Sequence, residues 1–242
     1  MDSRGGKRMI FRTHFRIPAL LPGALILLGA AAPLPAGDLA STLARLDKAA
    51  VGFSGLTADI KSVSHTFIIK DTTEEAGRMT LQRPKPRDTR MLVEFTKPEP
   101  RALSFAGRKV QIFYPKINTV QEYDLGKQSS LIDQFLLLGF GSTSSELRAG
   151  YDIKYAGEGE AGGQMSDRLE LTPKSAEARA HMNRIVLWIS QSNGQPAQIQ
   201  VFQPSKDYRL ITYTRVALNP SLGKDAASLK LPKGVKRETP QK

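Results

Sequence analysis

The sequence predicts an α+β fold built on an antiparallel sheet, and three observations carry that expectation. From Leu56 onward apolar residues recur with period two, in short runs broken by Gly, Pro, Asn and Asp, as consecutive strands with tight connections require. Ahead of them, Leu39, Leu43, Leu46, Ala50 and Phe53 recur at three- and four-residue spacing, which marks a helix with one apolar stripe. Midway along the chain, Ser130 to Leu138 breaks the period-two pattern with a second helical run. Short connections give an antiparallel meander, and the two helices must bury their apolar faces against it.

The N-terminal stretch is set apart from that fold. Arg4, Lys7, Arg8, Arg12 and Arg16 make a basic region, Ile17 to Ala32 an uncharged apolar run, and small residues follow with a cut expected after Ala36. The run is shorter than the roughly 20 residues a membrane span needs, and Pro18, Pro22, Gly23 and Gly29 weaken it as a permanent helix. Residues 1–36 are therefore expected to be a signal peptide of the Sec type, since no Arg-Arg pair occurs, with retention as an anchor the alternative. Residues 37–242 are expected to form a single exported domain, soluble after cleavage.

Within that domain the first helix is expected over Asp38 to Phe53 with Asp38 as N-cap. Strands are expected at 58–69, 77–83, 90–96, 102–106, 109–114 and 119–125. The second helix follows, with Ser130 as cap and Gly139 as stop. Strands resume at 151–156, 168–172, 184–190, 197–203 and 208–218, with a last one at 228–231. No internal repeat or dividing linker is visible.

Composition removes several function classes. The chain has no cysteine, which excludes disulfides, thiolate metal sites, a cysteine nucleophile and a lipidated N-terminal cysteine. The formal charge of +12 comes from Lys and Arg scattered along the chain without interleaved aromatics, a solvated surface more than a nucleic-acid stripe, with attraction to anionic headgroups the functional alternative. His65 and His181 lie far apart with no complementary ligand pattern, so no metal site is expected. Gly157 to Gly162 fits a dinucleotide-binding pattern by letter. No helix opens after it and Glu158 and Glu160 would repel a pyrophosphate, so a flexible hairpin loop is expected there. With no nucleophile elbow or phosphate loop, the chain reads as a binding protein and not an enzyme.

Two features point toward a site. Leu131, Ile132, Phe135, Leu136, Leu137 and Leu138 make the second helix apolar on more than one side, so it either plugs the core or covers an apolar cavity. In the run 78–84, period two aligns Met79, Leu81 and Arg83 on one face. Arg83 either snorkels out at the strand end or donates to backbone carbonyls at the end of a helix lying over the sheet, where it would act as a latch. The same alternation lines up Met91, Val93 and Phe95; Val110, Ile112 and Tyr114; Tyr151, Ile153 and Tyr155; Ile185, Leu187 and Ile189; and Ile199 and Val201. Two short helices barely cover so long an apolar surface, which makes a partly unfilled concave face a reasonable expectation.

Five segments in order resemble the periplasmic outer-membrane lipoprotein carrier family, the LolA-like proteins. They are Leu43 to Lys48 with Phe53 to Ala58, Met79 to Pro86, Ala106 to Pro115, Leu171-Thr172-Pro173-Lys174 and Leu231 to Val235. The resemblance implies an antiparallel sheet curved into an incomplete β-barrel, with helices covering a concave hydrophobic cavity for acyl chains. It implies no cofactor and no covalent chemistry. It also implies that Arg83 holds a helical lid closed, with Phe135 to Gly139 in that lid. The cavity and lid would be lined by Met79, Leu81, Met91, Val93, Phe95, Val110, Ile112, Tyr114, Phe135, Leu136, Leu138, Ile153, Leu187, Ile199 and Val201. This chain departs from the family in lacking a tryptophan soon after the Arg-Pro segment and in a longer stretch from Ala156 to Arg184.

The function this implies is a monomeric periplasmic carrier that moves acylated lipoproteins from an inner-membrane extraction complex to an outer-membrane acceptor, with no nucleic-acid partner. The alternatives are a binding or sensor module of the same fold for another lipid, and a glycosidase using paired sheet carboxylates in a polar cleft.

Overall fold

A computed structural model describes residues 38–85, 88–126 and 138–240. All of them lie within Gly37–Lys242, which forms one compact unit. The first element is α1 (Leu39–Ala50). Its cap is reciprocal: Ser41 N donates to Asp38 Oδ1 at 2.6 Å and Asp38 N donates to Ser41 Oγ at 3.2 Å. The helix ends before the expected Phe53, because Gly52 takes a left-handed conformation (φ +69) that turns the chain into the sheet.

Six strands then run in meander, β1 (Gly55–Thr66), β2 (Asp71–Lys85), β3 (Asp88–Lys97), β4 (Arg101–Ala106), β5 (Lys109–Tyr114) and β6 (Thr119–Asp124). The expected second helix falls mostly on 127–137, outside the described residues. Next come α2 (Ser144–Gly150), β7 (Tyr151–Ala161), β8 (Gln164–Pro173), α3 (Ala176–His181), β9 (Arg184–Ser190), β10 (Pro196–Phe202), β11 (Tyr208–Leu218) and β12 (Lys236–Glu238). The strands form one sheet in the order β12-β6-β5-β4-β3-β2-β1-β11-β10-β9-β8-β7. Every pairing is antiparallel except β12 with β6. β11 returns to pair with β1, which joins two meanders into one sheet, while β7 and β12 remain as edges.

The sheet curves without closing into a barrel. Register shifts interrupt β1 on β11, β2 on β3 at two places, β7 on β8 and β10 on β9, and each extra residue bends and twists its strand locally. Gly77 sits at one of them, where a Cβ would lie 2.2 Å from the Glu94 carbonyl oxygen, so only glycine admits that approach of β2 to β3. The concave face carries the main core: Leu56, Met79, Leu81, Phe105, Leu169, Leu171, Ile185, Leu187 and Ile189, with Leu43 and Leu46 of α1 packed onto them.

The structure departs from the sequence pattern at two segments. The glycine-rich run is not a loop, since β7 continues through Gly157 to Ala161 after a bulge between Tyr155 and Glu158, and the turn is made by Gly162 and Gly163. The stretch 228–231 is not a strand: its alternating Ser-Leu-Lys-Leu pattern half-buries Leu229 and Leu231 in a strap, and pairing resumes only at β12. That strap crosses the convex face from β11 to β6. Gln82 holds it, donating to Gly223 O at 2.9 Å and accepting from Ala227 N at 3.2 Å. Beneath it Leu92, Ser104 and Val120 are buried on the face opposite the main core. A cleft of about 450 Å³ remains between the strap and β3–β5, lined by Leu92, Phe113, Arg101, Leu229 and Lys230 among others.

Candidate functional site

The concave face gathers apolar side chains from strands far apart in sequence, because alternate residues of each strand point to it. Met79, Leu81, Met91, Val93, Leu138, Leu187, Ile199 and Val201 are buried in the core there, and Phe95, Val110 and Ile153 pack against it partly exposed. Ile112 and Tyr114 are half-exposed toward the β5–β6 end of the sheet. Phe135 and Leu136 lie outside the described residues.

The turn 138–142 presses onto this face. Leu138 and Phe140 are each 1% exposed, and the Phe140 ring meets Tyr213 edge-on with centroids 4.9 Å apart. Burial pushes the Tyr213 hydroxyl well above the ordinary tyrosine range. Two glycines make the close seating feasible. A Cβ on Gly139 (φ +81) would lie 2.7 Å from Pro196 Cγ, and one on Gly141 (φ +62) would lie 2.2 Å from Phe53 Cδ1.

Arg83, at the far end of β2, reaches this turn. Its Nη1 donates to Gly141 O at 3.0 Å and its Nη2 to Phe53 O at 3.4 Å, with the guanidinium 5.3 Å from the Phe53 ring centroid. The side chain is half-buried and its own backbone N–H donates to Ser54 O at 2.7 Å. One cation thus bridges the segment following α1 and the turn following residue 137, using donors that suit free carbonyls at the ends of turns.

A second polar group on the concave face was not anticipated. Asp167 on β8 is fully buried, in line with Leu169 and Leu171. Its carboxylate is paired with Arg45 of α1 and accepts from Thr42 Oγ1 at 3.0 Å, Gln191 Nε2 at 2.9 Å and the Tyr155 hydroxyl at 3.3 Å. Burial, followed by the charges of Asp167 and Glu158, pushes the Tyr155 hydroxyl up to about 12. The alternation argument that turns Arg83 inward applies equally to Asp167, Leu169 and Leu171, so the signal was present in the sequence. Asp47 ties α1 to α2 in turn, accepting from Ser144 N at 2.6 Å and Ser144 Oγ at 2.7 Å.

The arrangement is a buried apolar face with the turn 138–142 pinned against it by Arg83. Among the described residues no cluster of His, Asp and Glu could hold a metal, and no helix is long and apolar enough to cross a membrane. An open antiparallel sheet curved around an apolar face, with helices laid on its concave side, defines a half-barrel whose form suits binding or carrying a hydrophobic ligand. The chain belongs to the LolA family: residues 58–227 match the family described as outer membrane lipoprotein carrier protein LolA.

Solved structures with a similar fold include an uncharacterized conserved protein from Thermus thermophilus, 15% identical, with 83% of this chain and 98% of that chain covered at a TM-score of 0.50. MucB is 14% identical at a TM-score of 0.48; 79% of this chain is covered, but the chain spans only 62% of the length of MucB. The Mycobacterium tuberculosis lipoprotein LppX is 10% identical, with 77% of this chain and 99% of that chain covered at a TM-score of 0.44. No curated protein matches the sequence.

Proposed function

We propose that this protein is a periplasmic carrier that shelters the acyl chains of lipoproteins on its concave face and moves them from the inner to the outer membrane. Family membership over 58–227 supports the reading, and the observation that carries it is the Arg83 clamp over an apolar face. Sheltering each CH₂ gains about 0.8 kcal/mol, while displacing the turn 138–142 from Arg83 and Tyr213 opposes entry. A carrier needs that opposition, because a cargo held too tightly is not handed on.

The basic, apolar and small-residue order of residues 1–36 supports export as a signal peptide ahead of a single domain at 37–242. Native mass spectrometry of the protein recovered from the periplasm tests the reading. Triacylated lipoprotein as the bound species supports it. Free lipid in its place moves the assignment to the second reading, a LolA-fold binding or sensor module, which the departures from the family near Arg90 and over 156–184 favour. An empty protein that also rejects added acylated peptide overturns both.

A further inference from the structure

The β1–β2 hairpin ends in an unusual apex. Phe67, Ile68 and Ile69 stand in succession 47%, 81% and 70% exposed, and consecutive exposed apolar residues are avoided unless they meet something. The apex is braced and not loose. Phe67 N donates to Asp207 Oδ1 at 2.7 Å, which ties it to the β10–β11 hairpin, and His65 stacks on Tyr208 with centroids 5.0 Å apart. Phe202 packs behind Tyr208 at 6.0 Å. Lys206 places its ammonium 4.9 Å from the Phe67 ring centroid, and Lys70 is the next residue after the apolar three. Both lysines are exposed, and among the described residues no ion pair includes either one, whereas the Asp207 carboxylate is occupied by the Phe67 amide.

We infer that this apex is a membrane-docking point that inserts Phe67, Ile68 and Ile69 shallowly into an anionic phospholipid surface while Lys70 and Lys206 contact its phosphates. The shape favours a bilayer. A stable protein partner needs about 800 Å² on each side, far more than one four-residue turn presents, whereas a convex point enters a lipid interface without a matching pocket. The composition also fits the interface, with Phe67, Ile68 and Ile69 in the turn, Lys70 and Lys206 on the two hairpins, and the stacked His65 and Tyr208 rings on the strands that follow. The apex lies about 40 Å along β2 from Arg83, so docking leaves the clamp unobstructed.

This inference does not rest on the carrier reading, and a protein that fails to insert can still bind acyl chains. The test is a fluorescence measurement on the full chain carrying Ile68→Trp in a Trp188→Phe background, which makes the apex the sole indole. The reporter is local, so the reading is independent of the apolar stretch 17–32. Vesicles of phosphatidylethanolamine and phosphatidylglycerol at a ratio of about 3:1, with a fraction of lipids brominated in the acyl chain, should shift the emission to the blue and quench it. Lys70→Gln and Lys206→Gln should each weaken the lipid-dependent quenching about fivefold. Circular dichroism checks that the variants keep their fold, and both lysines are exposed enough to be replaced without cost to the core. Emission that no vesicle moves overturns the inference. Equal quenching by pure phosphatidylcholine overturns the anionic requirement, and a blue shift that follows protein concentration without lipid overturns it in favour of a second copy of the chain.

Discussion

Replacing Arg83 by leucine removes two charged donors from the turn 138–142 and the end of the α1 connection while keeping an apolar stem against Phe53. The bond to Gly141 O, at 3.0 Å, has good length; the bond to Phe53 O, at 3.4 Å, is long and counts for little. A hydrogen bond from a charged group contributes about 1.5–3 kcal/mol, and half-exposure places this one toward the lower end, so the clamp should hold the turn by about 2 kcal/mol. At 1.4 kcal/mol per tenfold, that is a factor of about 30 in the ratio of displaced to seated turn. If ligand binds only when the turn is displaced, apparent affinity scales with the displaced fraction. Arg83→Leu should therefore tighten binding of an acylated peptide by up to about 30-fold and slow its release, with Arg83→Lys in between. Displacement of a fluorescent fatty-acyl probe gives the affinity, and stopped-flow mixing with acceptor vesicles gives the release rate. Affinity and release both within about twofold of the parent, in a variant with an intact circular dichroism spectrum, would refute the clamp.

The shell around that face responds to substitution in its own ways. Asp167→Ala should cost about 3 kcal/mol in urea unfolding, because Thr42, Gln191 and Arg45 lose a common buried acceptor; a loss under about 1 kcal/mol would show that solvent replaces it. Gly141→Ala places a Cβ 2.2 Å from the Phe53 ring at φ +62, and should lower the melting temperature and raise amide exchange around 138–142 together. Gln82→Ala should cost about 1–2 kcal/mol and speed hydrogen exchange at Ala227, whose amide it accepts, with little change at Leu81. Since the folded Tyr155 hydroxyl titrates near 12 and an unfolded one near 10, the unfolded chain loses that proton first, and stability should fall as pH rises from about 10 toward 12. Tyr155→Phe should flatten that fall in alkaline denaturation curves, and an unchanged slope would remove Tyr155 from the account.

Much of this architecture is legible locally. Period-two runs place β5, β9 and β11 at their observed bounds, and Asp38 marks the start of α1, because strand alternation and helix capping are written into residues a few positions apart. The inward alignment of Arg83 with Met79 and Leu81 follows from the same arithmetic, though its acceptors, 58 and 30 residues away, do not. The helix α2 is too short to show an apolar period, although Thr143-Ser144-Ser145-Glu146 spells a reciprocal cap, which the structure forms through Thr143 and Glu146. The misplaced last strand has a different cause, since Ser228 to Leu231 alternates like a strand but finds the convex face and not a partner backbone.

By itself, then, the sequence determined the antiparallel meander, the capped first helix, the lack of cysteine chemistry and an arginine turned toward the apolar face. Each depends on neighbours in the chain or on residue types alone. The tertiary structure decided the return of β11 onto β1, the strap pinned by Gln82 across the convex face, the pairing of Arg45 with Asp167 and the meeting of Phe67 with Lys206. Those contacts join residues more than a hundred positions apart, and only the curvature of the sheet determines which distant side chains share a face.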